Sequence, residues 1–465
     1  MIDTEALRSK ILDLAIRGKL TEQLPEDGSA EDLYAKIQEE KAQLVKGGKI
    51  KKEKALPEIT KDEMPFEIPR NWKWVYLGEL FAHNTGKALN SSDKEGVLLE
   101  YITTSNMYWD HFELNGLKKM YFKNNEIEKC TIRKGDLLIC EGGDIGRSAI
   151  WNFDYDMRIQ NHIHRLRPLI LDLSPKFYYF VMRRYKDNKM INGQGIGLQG
   201  FSSRRVHSLL VPLPPFEEQK RIIDKVNDIL ERIDEIENLQ SQYATNIEVL
   251  KSKLVDAAIR GKLTEQLPED GDVEDLYNQI QDEKARLIKE GRLKKEKPLP
   301  DISEDEIPFE IPKNWKWVRF GDLMKNRDSE RVPVSVADRK KLKKIYDYYG
   351  ASGVIDKVEN YLFNSKLLLI GEDGANLVSR STPIAFIANG KYWVNNHAHV
   401  LDYYVEDYLD FVMYYINSIS LIPYVTGAAQ PKLNQDNMNR IPVPLPPIVE
   451  QKRIVKRLNA IMEQL

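Results

Sequence analysis

The sequence predicts an α+β protein, with two mixed α/β domains joined by a long antiparallel coiled coil and related by a pseudo-two-fold repeat. Two observations lead to this prediction. A scaffold segment occurs twice without a gap, at 7–80 and 250–323, with an offset of 243 residues. Such internal repeats define the architecture of a chain. The two segments enclosed by the scaffold, 81–210 and 324–440, barely resemble each other.

Three motifs recur in the scaffold. They are IRGKLTEQLPEDG at 16–28 and 259–271, NWKWV at 71–75 and 314–318, and Pro-Pro followed by EQKRI within 214–222 and 446–454. The last pair has its own offset of 232 residues. A constant scaffold around two different inserts indicates two sites that perform the same kind of task on different targets.

The central segment, 216–262, is predicted to be one long helix. Its apolar residues step by four and three in turn from Ile222 to Leu254, the period of a coiled-coil seam, with Gln240 as the one polar seam position. Pro215 suits the start of a helix and Gly261 its end. About 45 residues at ~1.5 Å each give a rod of roughly 65 Å. A buried helix of a globular core is the alternative, but the outward positions are densely charged.

The two ends of the chain repeat this helix in halves. Residues 446–465 match its first half, and residues 1–20 match its second half. We therefore expect both ends to pack antiparallel on the central helix, as a second and broken copy of the rod.

Two domains occupy the remaining chain. The first is 21–215, with its variable core at 81–210, and the second is 263–445, with its variable core at 324–440. Each begins with a short amphipathic helix and an extended, proline-rich connector. A basic run at 49–54, echoed from residue 292, precedes the prolines. This run could touch phosphate, although such runs are more often solvated linkers.

Strand and helix patterns inside the variable cores support the mixed α/β class. Short buried strands are predicted at 136–140, 367–370 and 384–387. Helices with aromatic faces are predicted at 177–186 and 408–416. Both cores close alike, with a Gly/Gln-rich loop at 193–200 or 427–430 and then a Val-Pro-Leu-Pro-Pro segment.

Composition limits the classes of protein that the chain can represent. Its 465 residues carry a formal net charge of −2 and contain neither a signal-peptide pattern nor a run of eighteen apolar residues. A soluble, cytoplasmic protein without membrane contact is therefore expected. Cys130 and Cys140 are predicted to be free thiols. Residues 81–215 have a net charge of +5, from 19 basic and 14 acidic side chains, and residues 324–447 have +1, from 14 and 13.

No catalytic residue and no metal ligand is predicted. The chain has neither a phosphate-binding G-x-x-x-x-G-K-[ST] loop nor the [ND]-P-P-[YF] tetrapeptide of amino-methyltransferases. The G-x-G-x-x-G match at 195–200 lacks the strand and helix of a dinucleotide site. The pairs His162/His164 and His397/His399 could suggest a metal, but a structural or hydrogen-bonding role is favoured because no third ligand is evident.

Base reading in DNA requires Arg, Lys, Asn, Gln, Ser or Thr, because these side chains form paired hydrogen bonds with base edges. The first insert offers Lys87, Ser105, Asn106, Arg147, Gln160, Asn161, Arg204 and Arg205 in predicted loops. The second offers Arg327, Arg331, Asn376, Arg380, Asn396, Gln430, Lys432 and Asn434. For any single residue the alternative is an exposed position without DNA contact.

Together, these motifs and their twofold layout resemble the specificity subunit of type I restriction–modification systems, over essentially the whole chain. The resemblance implies that the inserts are two target recognition domains, each binding one half of a split, asymmetric sequence in double-stranded DNA. It also implies that the helices set the spacing and dock two modification subunits, which carry S-adenosylmethionine. Two restriction subunits, which use ATP and magnesium, would join them. This chain itself would be non-catalytic and hold no cofactor.

Two other classes of function remain open at this point. The first is an autonomous DNA-binding or methyltransferase-like protein, against which the missing methylation tetrapeptide counts. The second is a protein–protein scaffold without a DNA role, which leaves the divergence of the two inserts unexplained. A methylation assay on the isolated chain and a salt-dependent DNA-binding assay would separate them.

Overall fold

A computed structural model describes residues 1–90, 92, 94–191, 200–427 and 429–465. The chain forms two compact units, Met1–Ser241 and Gln242–Leu465, and the boundary between them falls inside one long helix. Most of the first Gly/Gln-rich loop, including most of the G-x-G-x-x-G match, lies outside the described residues.

Unit 1 begins with helical scaffold and continues into a mixed insert. Its helices are α1 (Thr4–Ile16), α2 (Ala30–Lys46), α3 (Leu77–Leu80), α4 (Asn124–Cys130), α5 (Pro175–Asp187), α6 (Ser203–His207) and the first part of α7 (Phe216–Ile259). Its strands are β1 (Lys73–Tyr76), β2 (Phe81–Thr85), β3 (Val97–Ile102), β4 (Lys118–Phe122), β5 (Thr131–Ile132), β6 (Leu137–Cys140), β7 (Ser148–Ile150), β8 (Met157–Ile159), β9 (Ile163–Pro168) and β10 (Leu210–Leu213).

Unit 2 contains the rest of α7 and repeats the order of the strands, although the short helices inside the insert differ. Its other helices are α8 (Val273–Lys289), α9 (Phe320–Leu323), α10 (Val336–Arg339), α11 (Asn376–Ser379), α12 (Leu409–Ser418), α13 (Gln435–Asn439) and α14 (Ile448–Met462). Its strands are β11 (Lys316–Arg319), β12 (Lys325–Asn326), β13 (Tyr346–Gly350), β14 (Gly353–Val358), β15 (Phe363–Asn364), β16 (Leu367–Gly371), β17 (Ala385–Ala388), β18 (Lys391–Val394), β19 (Ala398–Asp402) and β20 (Pro442–Leu445).

The two inserts have the same strand topology in spite of their different sequences. In unit 1 the sheets have the orders β2-β9-β6-β7 and β4-β3-β8-β5, and in unit 2 they have the orders β12-β19-β16-β17 and β14-β13-β18-β15. A two-stranded scaffold ribbon, β1-β10 or β11-β20, joins the first and last strands of each unit. The predicted two-domain α+β fold with an internal repeat is therefore confirmed.

Buried aliphatic and aromatic side chains hold each insert on its scaffold. The central strands β6 and β16 are buried on both faces, which explains their continuous apolar sequences. The aromatic helix α5 packs on β6, β7 and α1, and α12 packs in the same way on β16, β17 and α14. The predicted strands at 136–140, 367–370 and 384–387 and the predicted aromatic helices are confirmed within one or two residues.

Helix α7 confirms the predicted central rod. In unit 1, α1 packs antiparallel on its first part: Leu12 and Ile16 share a hydrophobic cluster with Ile222 and Val226, and Gln240 Nε2 donates to the carbonyl of Ile2 at 3.1 Å. In unit 2, α14 packs on its last part, where Ile454 and Leu458 cover Ala258.

The middle of the rod departs from the predicted seam. Tyr243 and Leu250, which were expected to be buried seam residues, are 62% and 41% exposed, and Leu239 is 63% exposed. A continuous seam along the whole rod is therefore wrong for this chain by itself.

Two further predictions concern the thiols and the membrane. Cys130 and Cys140 are buried free cysteines, as expected. Among the described residues, no helix combines the length and the apolar character that crossing a bilayer requires.

Candidate functional site

The repeated motifs meet in a buried hydrogen-bonded cluster in unit 1. The carboxylate of Glu218, at the start of α7, is fully buried. It accepts hydrogen bonds from Trp72 Nε1 at 2.8 Å and from Gln23 Nε2 at 2.8 Å. Asp27 completes the cluster, because both terminal nitrogens of Arg221 donate hydrogen bonds to its carboxylate, at 2.5 and 2.6 Å. We call these five residues interlock 1.

Unit 2 contains the same cluster with the same geometry. Glu450, at the start of α14, accepts from Trp315 Nε1 and from Gln266 Nε2, both at 2.9 Å. Arg453 holds Asp270 with two bonds of 2.6 Å. We call this cluster interlock 2. All three repeated motifs therefore have a structural role, which is to lock the helix start, the turn and the scaffold ribbon together.

In each unit, the part of the insert whose side chains can differ lies where two neighbouring strands end. In unit 1, β6 pairs antiparallel with β9, and the amide of Glu141, just after β6, donates to the carbonyl of His162 at 2.9 Å. The amide of Phe201, from the last part of the insert, donates to the carbonyl of Glu141 at 2.8 Å. His164 Nε2 lies 2.6 Å from the carbonyl of Phe201. These four residues define strand-end site 1.

Strand-end site 2 is its counterpart in unit 2. The amide of Glu372, after β16, donates to the carbonyl of His397 at 2.9 Å, and the amide of Leu433 donates to the carbonyl of Glu372 at 2.8 Å. His399 Nε2 lies 2.8 Å from the carbonyl of Leu433. The sequence pattern Asn-His-x-His at 161–164 and 396–399 thus occupies equivalent positions. Its first histidine is 54% exposed in unit 1 and 49% exposed in unit 2.

Five of the residues predicted for the first insert lie in segments close to strand-end site 1. Gln160 and Asn161 form the turn that leads into β9. Arg147 Nη2 donates to the carbonyl of Thr104 at 2.6 Å, which links the hairpin of β6 and β7 to the turn that contains Ser105 and Asn106. Ser105 is exposed, and the Asn106 side chain accepts from the amide of Thr103.

The other three also lie near this site, where the amide of Asn161 donates to the carbonyl of Lys87 at 3.0 Å, but their side chains differ in exposure. Lys87 is nearly buried, and its ammonium donates to the carbonyl of Tyr121 at 2.9 Å and to Glu126 at 2.7 Å. Arg205 stacks over the Phe201 ring, while Arg204 is exposed on α6. Lys87 is therefore engaged inside the unit, and Arg204 is open to solvent.

In the second insert, four predicted residues serve internal contacts. Arg327 pairs with Glu330 at 2.7 Å, and Arg331 pairs with Glu372 at 2.7 Å. The Arg380 side chain reaches the carbonyl of Ile416. Asn434 caps α13 by accepting from the amide of Asn437 at 2.8 Å.

The remaining four lie at or beside strand-end site 2. Asn376 accepts from the amide of Thr382 on the loop that follows β16, at 3.1 Å. Asn396 and Gln430 are exposed. Lys432 is half-exposed and pairs with Glu372 at 3.1 Å. These are the predicted residues of unit 2 that the fold brings together at one surface.

A cluster of potential metal ligands also lies at strand-end site 2. One ligand atom each of Asp328, Glu372 and His399 lie within 4.8 Å of one another. The fold thus places two carboxylates beside His399 that the sequence spacing did not reveal. However, Arg331 contacts both carboxylates, at 3.3 Å for Asp328 and 2.7 Å for Glu372, and Lys432 adds a second cation. Two cations already balance the two carboxylates, so the cluster has the chemistry of a buried ion network.

The pKa shifts of two groups near the strand-end sites agree with this description. Burial alone would raise the pKa of Asp328, but the hydrogen bond from His399 and the charge of Arg331 outweigh it and hold the pKa below its ordinary value. In unit 1, His83 packs against His164 with ring nitrogens 2.9 Å apart. Burial and the neighbouring histidines lower the pKa of His83 to about 3, so this pair is neutral at physiological pH.

Sequence reasoning missed Glu141 and Glu372 as members of the two sites. Each follows a fully apolar strand directly and precedes an acidic or glycine-rich turn, in the sequences Cys-Glu-Gly-Gly and Gly-Glu-Asp-Gly. A carboxylate at the end of a buried strand was the signal that could have placed them.

Comparison with known proteins follows the same two-part layout. Residues 69–244 and 312–465 match the family described as Type I restriction modification DNA specificity domain. The specificity subunit of the type I restriction enzyme EcoEI from Escherichia coli is 25% identical over 97% of this chain and 88% of its own length. The EcoAI specificity subunit from Escherichia coli is 30% identical over 68% of this chain and 62% of its own length.

Solved structures share the fold. The HsdS subunit from Thermoanaerobacter tengcongensis aligns with a TM-score of 0.54 and 18% identity, over 86% of this chain and 91% of that one. A chain from a structure that describes complex assembly and conformational transition of the type I R-M system aligns with a TM-score of 0.58 and 17% identity, over 86% and 92% of the two chains.

Proposed function

Because this chain belongs to the type I restriction–modification DNA specificity family, and so serves DNA recognition, we propose that its two units each bind one half of a bipartite, asymmetric DNA sequence. The observation that carries this proposal is the pairing of identical topology with different side chains. Each unit builds a strand-end site from the same three backbone segments, and each unit contains the same kind of interlock. Both sites share an Asn-His pair, but the polar side chains around this pair differ, with Arg204 in unit 1 and Gln430 and Lys432 in unit 2, as reading two different half-sites requires.

The chemistry of the exposed side chains supports base contact. Asn161 in unit 1 and Asn396 in unit 2 can pair with an adenine edge, and the exposed histidine after each can donate or accept. Arg204 in unit 1 and Gln430 in unit 2 add further polar groups near the two sites. Each good bidentate contact contributes about 1–3 kcal/mol of discrimination between bases.

The scaffold has a separate role in this proposal. The rod α7 sets the spacing of the half-sites, and two modification subunits dock on the rod and the terminal helices. The modification subunits carry S-adenosylmethionine, and two restriction subunits, which use ATP and magnesium, join this core in the cytoplasm. This chain contributes no catalytic group and holds no cofactor of its own.

Exposed apolar side chains in the middle of the rod support the docking role. At about 100° per residue, Leu239, Tyr243 and Leu250 lie within ~40° of one another around the helix axis, and all three are largely exposed. A row of exposed large apolar side chains on one helix face is characteristic of a protein interface. The neighbouring turns of the same helix are already covered by α1 and α14, so a partner helix would extend an existing seam.

Reconstitution tests the function. The chain is purified alone and with the modification subunit encoded by its host, and adenine methylation of genomic DNA is mapped by single-molecule sequencing. We expect methylation at one split sequence by the complex and none by the isolated chain. Methylation by the isolated chain would favour the autonomous methyltransferase instead.

Docking is tested by adding charge to the uncovered face of the rod. Leu239→Glu with Tyr243→Glu should leave the chain folded, because both side chains are exposed, but should abolish its complex with the modification subunits. Ser252→Glu is the matched control, since this exposed residue lies on the opposite side of the same helix. If the double variant binds both modification subunits as tightly as the control does, the docking surface lies elsewhere.

A further inference from the structure

Two short basic segments occupy the same position in the two units. Residues 49–54 follow α2 and residues 292–297 follow α8, at the repeat offset of 243. We call them basic connectors 1 and 2. Each begins directly after a glycine in the left-handed region, with φ of +70° at Gly48 and +71° at Gly291. This geometry ends the helix and turns the chain away from its axis.

The second residue of each connector contacts its own unit, and the cations around it are exposed. Ile50 packs against the hydrophobic cluster of unit 1, and Leu293 donates its amide to the carbonyl of Leu287 at 3.1 Å. The cationic residues around these two residues are all exposed. They are Lys49, Lys51, Lys52 and Lys54 in connector 1, and Arg292, Lys294, Lys295 and Lys297 in connector 2.

The one acidic residue of each connector contacts side chains of its own unit. Glu53 pairs with Lys41 of α2 at 3.2 Å and lies 3.4 Å from His207 Nε2. Glu296 accepts from Gln435 Nε2 at 3.3 Å. Within the described parts of the chain, none of the seven connector lysines forms an ion pair, and Arg292 reaches Glu290 only at 3.5 Å. Within the described residues, connector 1 therefore presents four cations without an ion-pair partner, and connector 2 presents three, with Arg292 paired to Glu290.

The contacts of Glu53 and Glu296 also show which helices lie next to the basic connectors. His207 ends α6 and Gln435 begins α13, and each of these short helices directly follows the strand-end segment of its unit, at Phe201 and Leu433. Connector 1 therefore lies at the far end of the short helix that follows strand-end site 1, and connector 2 lies at the start of the corresponding helix of unit 2. An exposed cationic segment beside a base-reading surface has the placement that a phosphate contact requires.

We propose that the basic connectors bind the DNA phosphate backbone next to each half-site, without regard to base sequence. This inference rests on the proposed function, since it presumes that the strand-end sites face DNA. The connectors are nearly identical in the two units although the inserts differ. Contacts to phosphate are the same at any sequence, whereas base contacts must differ between two half-sites.

The test measures the salt dependence of DNA binding by the full chain in complex with its modification subunits. Variant 1 carries Lys49→Gln, Lys51→Gln, Lys52→Gln and Lys54→Gln. Each lost phosphate contact reduces the slope of log K against log salt by about 0.9. We expect the slope to fall by about 2–4, and affinity near 0.1 M salt to fall roughly 10- to 100-fold, equally for target and non-target duplexes. The methylated sequence should not change.

The matched control removes the same charge elsewhere in unit 1. It carries Lys118→Gln, Lys119→Gln, Lys129→Gln and Lys134→Gln, all at exposed positions. The control should keep the wild-type slope within about one unit, since it removes no proposed phosphate contact. An equal loss of slope in the control would show a long-range charge effect and overturn the inference.

Two other results would also overturn it. If variant 1 keeps the wild-type slope while the wild-type complex binds its target specifically, the connectors do not contact DNA although the proposed function stands. If variant 1 fails to assemble with the modification subunits in the absence of DNA, the connectors dock protein. A wild-type complex that shows no DNA binding would instead remove the proposed function itself.

Discussion

The indole of Trp72 donates its N–H to the buried carboxylate of Glu218 at 2.8 Å, across 146 residues of sequence. The same bond joins Trp315 to Glu450 at 2.9 Å in the second unit. Each bond connects the motif that opens an insert with the motif that closes it. Both ends of each insert are therefore fixed at one buried point, so the insert between them can change while the scaffold stays constant.

Removing this carboxylate should destabilise one unit strongly. Glu218→Ala leaves the buried N–H of Trp72 without its acceptor, whereas the exposed Gln23 amide keeps the carbonyls of Gly18 and Thr21. A buried unsatisfied donor costs about 1–3 kcal/mol. We expect the urea midpoint of unit 1, followed by tryptophan fluorescence, to fall clearly. Trp72→Phe removes one donor and keeps the acceptor, so its loss should be about 1 kcal/mol. Equal losses in the two variants would contradict a shared acceptor role for Glu218.

The second prediction concerns acid stability. The hydrogen bonds from Arg221 hold the pKa of Asp27 below its ordinary value, and Arg453 does the same for Asp270. A carboxyl with a depressed pKa in the folded state stabilises the fold above the ordinary pKa of about 4, and this contribution is lost as the pH falls below it. Asp27→Asn should therefore be less stable than wild type at pH 7, and the difference should shrink towards pH 3.

The exposed carboxyl of Asp62 offers the control for this prediction, because it forms no ion pair within the described residues. Asp62→Asn should leave the pH dependence of the urea midpoint unchanged. The difference in urea midpoint between wild type and Asp27→Asn is measured from pH 7 to pH 3. A constant difference would show that the charge of Arg221 contributes nothing to stability through Asp27.

The third prediction concerns the strand-end sites. Asn161→Ala with His162→Ala should relax the base preference in one half of the target and weaken specific binding about 10- to 100-fold, because bidentate base contacts carry ~1–3 kcal/mol each. Asn396→Ala with His397→Ala should do the same for the other half. The measurement is a competition assay with duplexes that vary one half-site at a time. Asn115→Ala, at an exposed position in unit 1, should change neither half, and a double variant that matched this control would place base reading elsewhere.

Much of the fold was predictable because it follows from periodicity. The apolar steps from Ile222 to Leu254 predicted α7, and continuous apolar runs predicted β6 and β16. The exposure of Tyr243 could not be predicted. A seam pattern predicts an apolar helix face that packs against another helix, but it does not indicate whether that helix belongs to the same chain. The shared topology of the inserts was equally hidden, because many different apolar sequences satisfy the same buried strand.

The candidate contacts were harder to predict than the fold. Arg331 and Lys87 have the residue types and loop positions of base readers, yet carboxylates 41 and 39 residues away occupy them. Such partners are brought together only by the fold. Glu218 shows the opposite case: a charged side chain that looks solvated in the sequence is fully buried.

The fourth prediction uses the uncovered stretch of the rod. A heptad inserted after Thr245 lies inside α7, distant in sequence from the residues of both interlocks, so both interlocks should survive. Seven residues lengthen a helix by about 10 Å, equivalent to roughly three base pairs along DNA. Methylome mapping should therefore show the same half-sites with a spacer about three base pairs longer. An unchanged spacer with intact methylation would show that the rod does not set the distance.

The most direct test of the central claim needs no other family member. Residues 324–442 are replaced by a second copy of residues 81–210, so that both junctions adjoin the repeated motifs in their native register, and the chain is expressed with its modification subunit. Genome-wide methylation is then mapped by single-molecule sequencing. If each unit recognises one half-site independently, the methylated sequence will be an inverted repeat of the first half-site. Methylation that still includes the original second half-site would contradict the assignment of one half-site to each unit.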